Sequence, residues 1–253
     1  MADLQEHIEW LRQRLQEPLP GLSAQERMMG RVVSMPPKVP DNARPSAVLC
    51  LLYPHLNDLH ILLMKRREDK GAHSAQVSFP GGRFEQSDLD LSTTALREAN
   101  EEVGVDPVAV DLIGPLTPLY IPVSNFQVFP YVGYMAQRPT FTPNPDEVSY
   151  IIETPLGDLL HDTRKTTTDV SSPAMPGLIR NVKAYRLDDG TIIWGATAMI
   201  ISVEPGQPRR GARLAHLHRV AGALLAGEVN GDDLRGFLLR NLQRPPVERL
   251  DGG

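Results

Sequence analysis

Three glutamates near the middle of the chain, Glu98, Glu101 and Glu102, have a spacing that predicts chemistry. At about 100° per helical residue, their carboxylates fall within one arc of about 100°. Carboxylates held this close repel each other by on the order of 1 kcal/mol per pair in water and roughly 4 kcal/mol near a protein surface. Such a cluster needs a cation. Hard carboxylate oxygens suit Mg²⁺ or Mn²⁺, and the cluster contains no histidine that would favour zinc.

The residues around the three glutamates predict how their helix is built. An apolar stripe is expected to face the core, and it consists of Ala95, Leu96, Ala99 and Val103. Glu98 and Glu102 lie one turn apart and can hold one ion between them, whereas Glu101 can take a second ion or an ordered water. Arg97 is expected to orient Glu101 through an i,i+4 salt bridge, and it is also placed to brace Asp88. A bare run of glutamates is more often a solvated helix face, but the ordered glycines on both sides favour a site.

Residues 79–105, FPGGRFEQSDLDLSTTALREANEEVGV, resemble the signature of the Nudix hydrolases, which cleave diphosphate bonds between a nucleoside and another group. The matching residues are Gly82, Arg97, Glu98, Ala99, Glu101, Glu102, Gly104 and Val105. The resemblance implies an α/β fold, a Nudix-type α/β/α sandwich with a mixed sheet. It also implies a metal site whose ligands are Glu98, Glu101, Glu102 and the backbone carbonyl of Gly81. The predicted catalytic residues are Glu98, Glu101, Glu102 and Arg97, and the general base is left open.

The segment before the signature, LLMKRREDKGAHSAQVSFPGG, is similar to the one found in the coenzyme A diphosphatase branch of that superfamily. The matching residues are His73, Gln76, Phe79 and Pro80, and the predicted substrate-binding residues are Lys65, Arg66, His73 and Gln76. The basic group Lys65, Arg66 and Arg67 is expected to pair with phosphates of the substrate. Its alternative is a solvated end of the strand. His73 has a structural alternative as a hydrogen-bonding residue.

Three positions depart from the usual patterns. The signature loop is one residue longer than usual and has Asp88 in place of glutamate, which predicts a supporting role for this acid. Upstream, Gly71 stands where many coenzyme A diphosphatases have arginine, and Ala75 replaces a glycine. A methyl group at position 75 is accommodated if that residue has an ordinary strand conformation.

These residues together predict metal-dependent hydrolysis of coenzyme A, or of a derivative, to 3′,5′-ADP and 4′-phosphopantetheine. One alternative is the same chemistry on ADP-ribose, a dinucleotide or a nucleoside triphosphate. Another is a catalytically silent Nudix domain that senses a ligand, although the intact glutamates argue against it.

Composition excludes several classes of protein. The chain has 253 residues, 41% of them hydrophobic, which is enough for one good-sized domain with extensions. The net charge of −5 argues against a nucleic-acid partner. The single cysteine, Cys50, excludes an internal disulfide and is expected to be an inert strand residue. The acidic N-terminus is no secretory signal, and no apolar run approaches a membrane span, so we expect a cytoplasmic protein.

Periodicity predicts three regions. Residues 1–44 are expected to form an amphipathic helix over 3–17, followed by an extended arm; the helix either packs on its own domain or makes a homodimer. Residues 45–204 are predicted to be the Nudix domain, with strands that include 45–54, 58–66 and the apolar run TIIWGATAMII. The sequence YRLDDGTIIW predicts a hairpin with a two-residue Asp-Gly turn. Residues 205–253 are expected to add two C-terminal helices.

Overall fold

The computed structural model describes residues 2–17, 19, 25, 28, 38–68, 73–172 and 175–202. The strands are β1 (Arg44–His55), β2 (Asp58–Arg66), β3 (Val77–Ser78), β4 (Gly81–Arg83), β5 (Asp111–Pro115), β6 (Leu119–Ile121), β7 (Phe126–Tyr134), β8 (Val148–Pro155), β9 (Lys165–Ser172), β10 (Met175–Arg186) and β11 (Ile192–Trp194). The helices are α1 (Ala2–Arg14), α2 (Leu91–Val103) and α3 (Gly195–Ile201). Three short 3₁₀ turns cover Pro107–Ala109, Asp158–Leu160 and Asp162–Arg164.

Eight strands form a mixed sheet that supports the site. The central order is β3-β2-β1-β7-β5, while β4 also pairs with β1, β6 with β7 and β8 with β2. The pairing of β1 with β7 is parallel, and the other pairings are antiparallel. A separate antiparallel sheet has the order β11-β10-β9. The mixed sheet with flanking helices confirms the predicted α/β class.

The alternating side chains of β1 divide the core into two layers, because successive strand residues point to opposite faces. Leu49, Leu51 and Tyr53 share a buried cluster with the apolar stripe of α2, which contains Ala95, Ala99 and Val103. Cys50 and Leu52 face the other cluster, which contains residues of α1, of the three-stranded sheet and of α3. The sheet therefore lies between α2 on one side and a mixed layer on the other.

Helix α1 packs on its own domain. Ile8 and Leu11 are buried, and Arg12 forms an ion pair with Asp111 of β5 at 2.5 Å. The amphipathic helix predicted for residues 3–17 is therefore confirmed over Ala2–Arg14, and Ile8, Leu11 and Leu15 are covered by the same chain. A homodimer stays a prediction.

Two details of the predicted strands are wrong. The run TIIWGATAMII forms only the short strand β11 before it turns into helix α3. A continuous apolar run cannot distinguish a buried strand from a buried helix by periodicity alone. The β10–β11 hairpin exists, but Leu187 N donates to Thr191 O, and this closes a three-residue loop with Gly190 at φ +84°. Loops of this length use a left-handed residue at the bulge, and Gly190 supplies it.

Several predictions lie outside the described residues, namely the two C-terminal helices and most of the extended arm. The domain boundaries at 44 and 204 therefore stay predictions. Within the described residues, no helix is long and apolar enough to span a membrane.

Candidate active site

Helix α2 is held firmly at both ends. At its start, the Asp90 side chain accepts a hydrogen bond from Thr93 N at 2.8 Å, as a helix N-cap does. At its end, Gly104 adopts φ +74°, the left-handed conformation of a helix C-terminal cap. The loop before β8 then covers the last turn, because Asn144 N donates to Glu102 O at 2.8 Å. The backbone that carries the three glutamates is thus fixed in place.

Glu102 is the most buried of the three glutamates, with 1% of the residue exposed. Its Oε2 accepts a hydrogen bond from Gly81 N at 2.8 Å, and its Oε1 accepts one from Arg66 Nη1 at 3.1 Å. Burial is the main cause that raises the pKa of Glu102 to about 7; Gly81 N and Arg66 oppose this shift, and the negative charges of Glu98 and Glu147 contribute to it in smaller part. A cation at this carboxylate would therefore be strongly stabilised.

Glu98 lies against the glycine turn that the signature contains. A Cβ atom at Gly82 would come within 2.4 Å of the Glu98 Cδ, so only glycine leaves room for this carboxylate. Burial raises the pKa of Glu98, Arg97 opposes that shift, and Glu101 and Glu147 add to it. Glu101 is more open, with 52% of its side chain exposed.

Arg97 connects most of the acidic groups. It donates to Glu98 and Glu101 at 3.0 Å each, and its Nε donates to Asp88 at 2.8 Å. Asp88 is 2% exposed at its side chain and also accepts hydrogen bonds from Thr94 Oγ1 and Glu85 N. The contacts expected of Arg97 with Glu101 and Asp88 are therefore present. The buried Asp88 carboxylate accepts hydrogen bonds from the arginine and so fixes its orientation.

We expect Asp88→Asn to destabilise the fold by about 3 kcal/mol at neutral pH, because it leaves a partly buried guanidinium without its main partner. Hydrogen bonds from Arg97 hold the pKa of Asp88 well below its usual range, with further help from Glu85 N and Thr94 against the opposing effect of burial. In the unfolded chain the group titrates near about 3.9. The difference in unfolding free energy between the wild type and Asp88→Asn is therefore largest above about pH 5, and it declines as the pH falls below that value.

Urea denaturation of the wild type and Asp88→Asn across this pH range measures the difference. Asp106→Asn is the matched control, since Asp106 caps only the short turn at Pro107–Ala109. If Asp88→Asn loses as much stability at pH about 3 as at pH about 7, the ion pair with Arg97 is not the cause of the loss.

Glu147 is a fourth acidic group that the sequence interpretation missed. Its negative charge raises the pKa of both Glu98 and Glu102. The loop that carries it is pinned to β2, since Arg67 N donates to Glu147 O at 2.8 Å. The available signal was an acid immediately before β8, in PNPDEVSYIIE, but no spacing rule connects that position to a helix some 45 residues earlier.

The four predicted substrate-binding residues separate into three places. Arg66 lies at the acidic helix, with Glu102 as its partner. Lys65 precedes it in β2 and pairs with Val77 of β3, whose side chain belongs to the cluster on the other side of the sheet from α2, so the Lys65 side chain lies on that face. His73 and Gln76 share a side-chain contact at 3.3 Å in the turn before β3, where Gln76 O accepts from Arg66 N. Arg66, His73 and Gln76 are thus brought near one strand end, and Lys65 is turned away from it.

Ala75 does not have the ordinary strand conformation on which the fit of its methyl group was made conditional. Ala75 has φ +53°, in the left-handed region, so the condition under which a methyl group is readily accommodated is not met. The turn is closed by Ala75 N, which donates to Arg67 O at 3.3 Å.

Ala75→Gly is accordingly expected to stabilise the protein by up to about 1 kcal/mol, since glycine enters the left-handed region without strain. The thermal midpoint measures this. The control is Ala109→Gly at an exposed position with negative φ, where the same change should destabilise by roughly 0.5–1 kcal/mol. A loss of stability in both variants would contradict the strain at position 75.

Comparison with known proteins decides the family of this site. The sequence profile of the NUDIX domain matches residues 43–173, which include the acidic helix and the whole mixed sheet. The chain belongs to the NUDIX domain family. The match confirms the family that the signature predicts.

Two relatives illustrate the likeness to other Nudix proteins. Nudix hydrolase 22, chloroplastic, of Arabidopsis thaliana is 34% identical over 158 residues, which are 62% of this chain and 52% of the relative. Nudix hydrolase NudL of Pectobacterium atrosepticum is 39% identical over 145 residues, 56% of this chain and 71% of the relative. The chain thus spans about half the length of the plant relative. Among solved structures, an Ap4A hydrolase of C. elegans is similar with TM-score 0.40 and 15% identity over 46% of this chain and 83% of its own, too little to bear on substrate.

The donors of the acidic helix fit the divalent cation that the Nudix signature implies. Glu98 and Glu102 are oxygen donors one turn apart, and their pKa values are raised mainly by burial, with a smaller contribution from neighbouring carboxylates. In the described part of the chain, no three His, Cys, Asp or Glu side chains are grouped to hold an ion as they stand. Arginines hold the carboxylate oxygens instead. Coordination of a cation by Glu98 and Glu102 would therefore require these carboxylates to exchange their contacts with Arg97 and Arg66.

Proposed function

We propose that this Nudix protein hydrolyses a diphosphate linkage with the help of Mg²⁺ or Mn²⁺, and that its substrate is coenzyme A or a derivative. The observation that carries the proposal is the pair Glu98 and Glu102, one helical turn apart on α2, with Glu102 buried and Glu98 lying against the glycine turn at Gly82. The expected products are 3′,5′-ADP and 4′-phosphopantetheine. Support for this substrate comes from the match of His73 and Gln76 to the coenzyme A diphosphatase pattern.

In this proposal the residues of the acidic helix have distinct tasks. Glu98 and Glu102, together with the carbonyl of Gly81, would hold the cation, which neutralises phosphoryl oxygens and activates a water. Glu101 is more exposed and would complete the site from the solvent side. Diphosphate hydrolysis depends mainly on positioning and charge stabilisation, so the chain's chief contribution is a rigid set of anions.

Arg97 and Glu147 have supporting roles. The Arg97 guanidinium forms ion pairs with Asp88, Glu98 and Glu101. Its proposed role is therefore to keep these carboxylates oriented. Glu147 is exposed and its negative charge acts on Glu98 and Glu102, so it would be the candidate that accepts a proton from the attacking water. The cytoplasmic location stays a prediction.

A substrate panel tests the proposal. Turnover of coenzyme A, ADP-ribose, a diadenosine polyphosphate and a nucleoside triphosphate is measured with Mg²⁺ and with Mn²⁺, and we expect the highest kcat/KM for coenzyme A. Consumption of ADP-ribose with coenzyme A left intact would remove the substrate assignment but keep the chemistry. Binding of a nucleotide without any turnover would instead indicate a silent ligand sensor.

A further inference from the structure

Arg66 is the cation nearest to the most buried acid of the site. Its Nη1 lies 3.1 Å from Glu102 Oε1, and the Arg66 side chain is 28% exposed while that of Glu102 is 2% exposed. The contact uses one guanidinium nitrogen, not the paired geometry that makes arginine–carboxylate contacts strong. Glu102 is therefore neutralised by a partner that can leave, since the guanidinium already reaches solvent.

The Glu102 carboxylate lies in surroundings where the lack of a positively charged partner would destabilise the fold. Glu102 has Glu98 and Glu147 as acidic neighbours, and a buried carboxylate without a cation is destabilising. The other oxygen of Glu102 is committed to Gly81 N, so the Oε1 side is where an incoming cation would meet Arg66. Two positive charges at one carboxylate oxygen repel each other, so Arg66 and a divalent ion compete for it.

We propose that Arg66 is a positioning residue that serves as the internal counter-ion of Glu102 in the metal-free protein and is displaced when the divalent cation binds. The proposal rests on the proposed metal-dependent function. Displacement frees a guanidinium at the edge of the site, where it is placed to contact the substrate's diphosphate. The same arginine thus balances the charge of Glu102 before the cation binds and becomes available to the substrate afterwards.

Competition predicts a specific change in metal affinity. When a competing group keeps only a fraction of the protein ready to bind, the measured affinity is reduced by that fraction, and removing the competitor restores it. Arg66→Met should therefore bind Mn²⁺ about tenfold more tightly than the wild type. The matched control is Arg67→Met, which removes the same charge from the next residue, a largely exposed side chain paired with Asp146. Its affinity should change by no more than about twofold.

The measurement is calorimetric titration of Mn²⁺ into the full-length metal-free proteins at about pH 8.5, where carboxylates are ionised. Thermal midpoints with and without Mn²⁺ are recorded alongside. Arg66→Met should melt lower than the wild type without the ion and recover most of the difference with it. Arg66→Lys keeps the positive charge, so its affinity for Mn²⁺ should lie between those of the wild type and Arg66→Met. It provides the comparison if the methionine variant folds poorly.

Two outcomes overturn the proposal in distinguishable ways. If Arg66→Met and Arg66→Lys bind Mn²⁺ no more tightly than Arg67→Met, the arginine is a structural partner and not a competitor, while the metal site stands. If the wild-type protein itself binds no Mn²⁺, the proposed function fails together with the displacement.

Discussion

Glu102→Gln is expected to lower kcat by at least about 100-fold, the scale of losing a principal charge-stabilising group. The fold should tolerate this change. Glu102 has a pKa of about 7, so its neutral form is already populated near neutral pH, and Gln presents a similar shape there. Arg66 loses its partner but can turn to solvent, since its side chain is 28% exposed.

Steady-state kinetics and thermal denaturation separate the two effects. Glu85→Gln is the matched control, because Glu85 lies exposed in the neighbouring loop and should leave kcat unchanged within about twofold. Near-normal turnover by Glu102→Gln would refute the placement of the cation. Loss of activity together with loss of folding would mean that Glu102 is chiefly structural.

The two glycines of the signature turn are expected to respond to alanine in opposite ways. At Gly81, with φ +155°, a Cβ atom would lie 2.3 Å from Ala47 O and 2.6 Å from Val48 Cα, both of them backbone atoms of β1. Gly81→Ala should therefore cost about 3 kcal/mol or more of stability. For a protein of this size that lowers the thermal midpoint by roughly 6–12 °C.

At Gly82 the obstacle is a side chain and not the backbone. The new Cβ atom would lie 2.4–2.5 Å from the carboxylate atoms of Glu98, at the far end of a side chain that can rotate away. Gly82→Ala should therefore change stability by less than about 1 kcal/mol. It should still lower kcat by about 100-fold, because a displacement of about 1 Å is enough to misplace a group of the site.

Thermal denaturation and kinetics on both variants test this contrast. If Gly82→Ala loses as much stability as Gly81→Ala, the turn as a whole is a structural element, and the close approach of Glu98 has no functional meaning. If Gly82→Ala remains fully active, Glu98 is not held where the proposed reaction needs it.

Local patterns predicted the acidic helix well. The apolar stripe of α2 and the contacts of Arg97 with Glu101 and Asp88 depend on residues within about three helical turns, where spacing translates directly into geometry. Asp88 was assigned a supporting role from its place in the loop, and its buried contacts with Arg97 are consistent with that role.

Features that depend on distant parts of the chain were not predictable in this way. Glu147 reaches the site only because β8 pairs with β2, a tertiary arrangement with no local signal. Arg66 was interpreted as a phosphate-binding residue, and the buried acid that it faces could not be inferred from its own segment. Ala75 shows a third limit, because the left-handed backbone is imposed by the closure of its turn onto β2. A glycine at this position would have indicated a left-handed conformation, whereas an alanine does not.

The most direct test of the central claim is mass-spectrometric identification of products after incubation of coenzyme A with the full-length protein and Mn²⁺. We predict 3′,5′-ADP and 4′-phosphopantetheine in equal amounts, with their formation abolished by a chelator. Coenzyme A that remains intact, or cleavage that proceeds unchanged in the presence of the chelator, would contradict the claim.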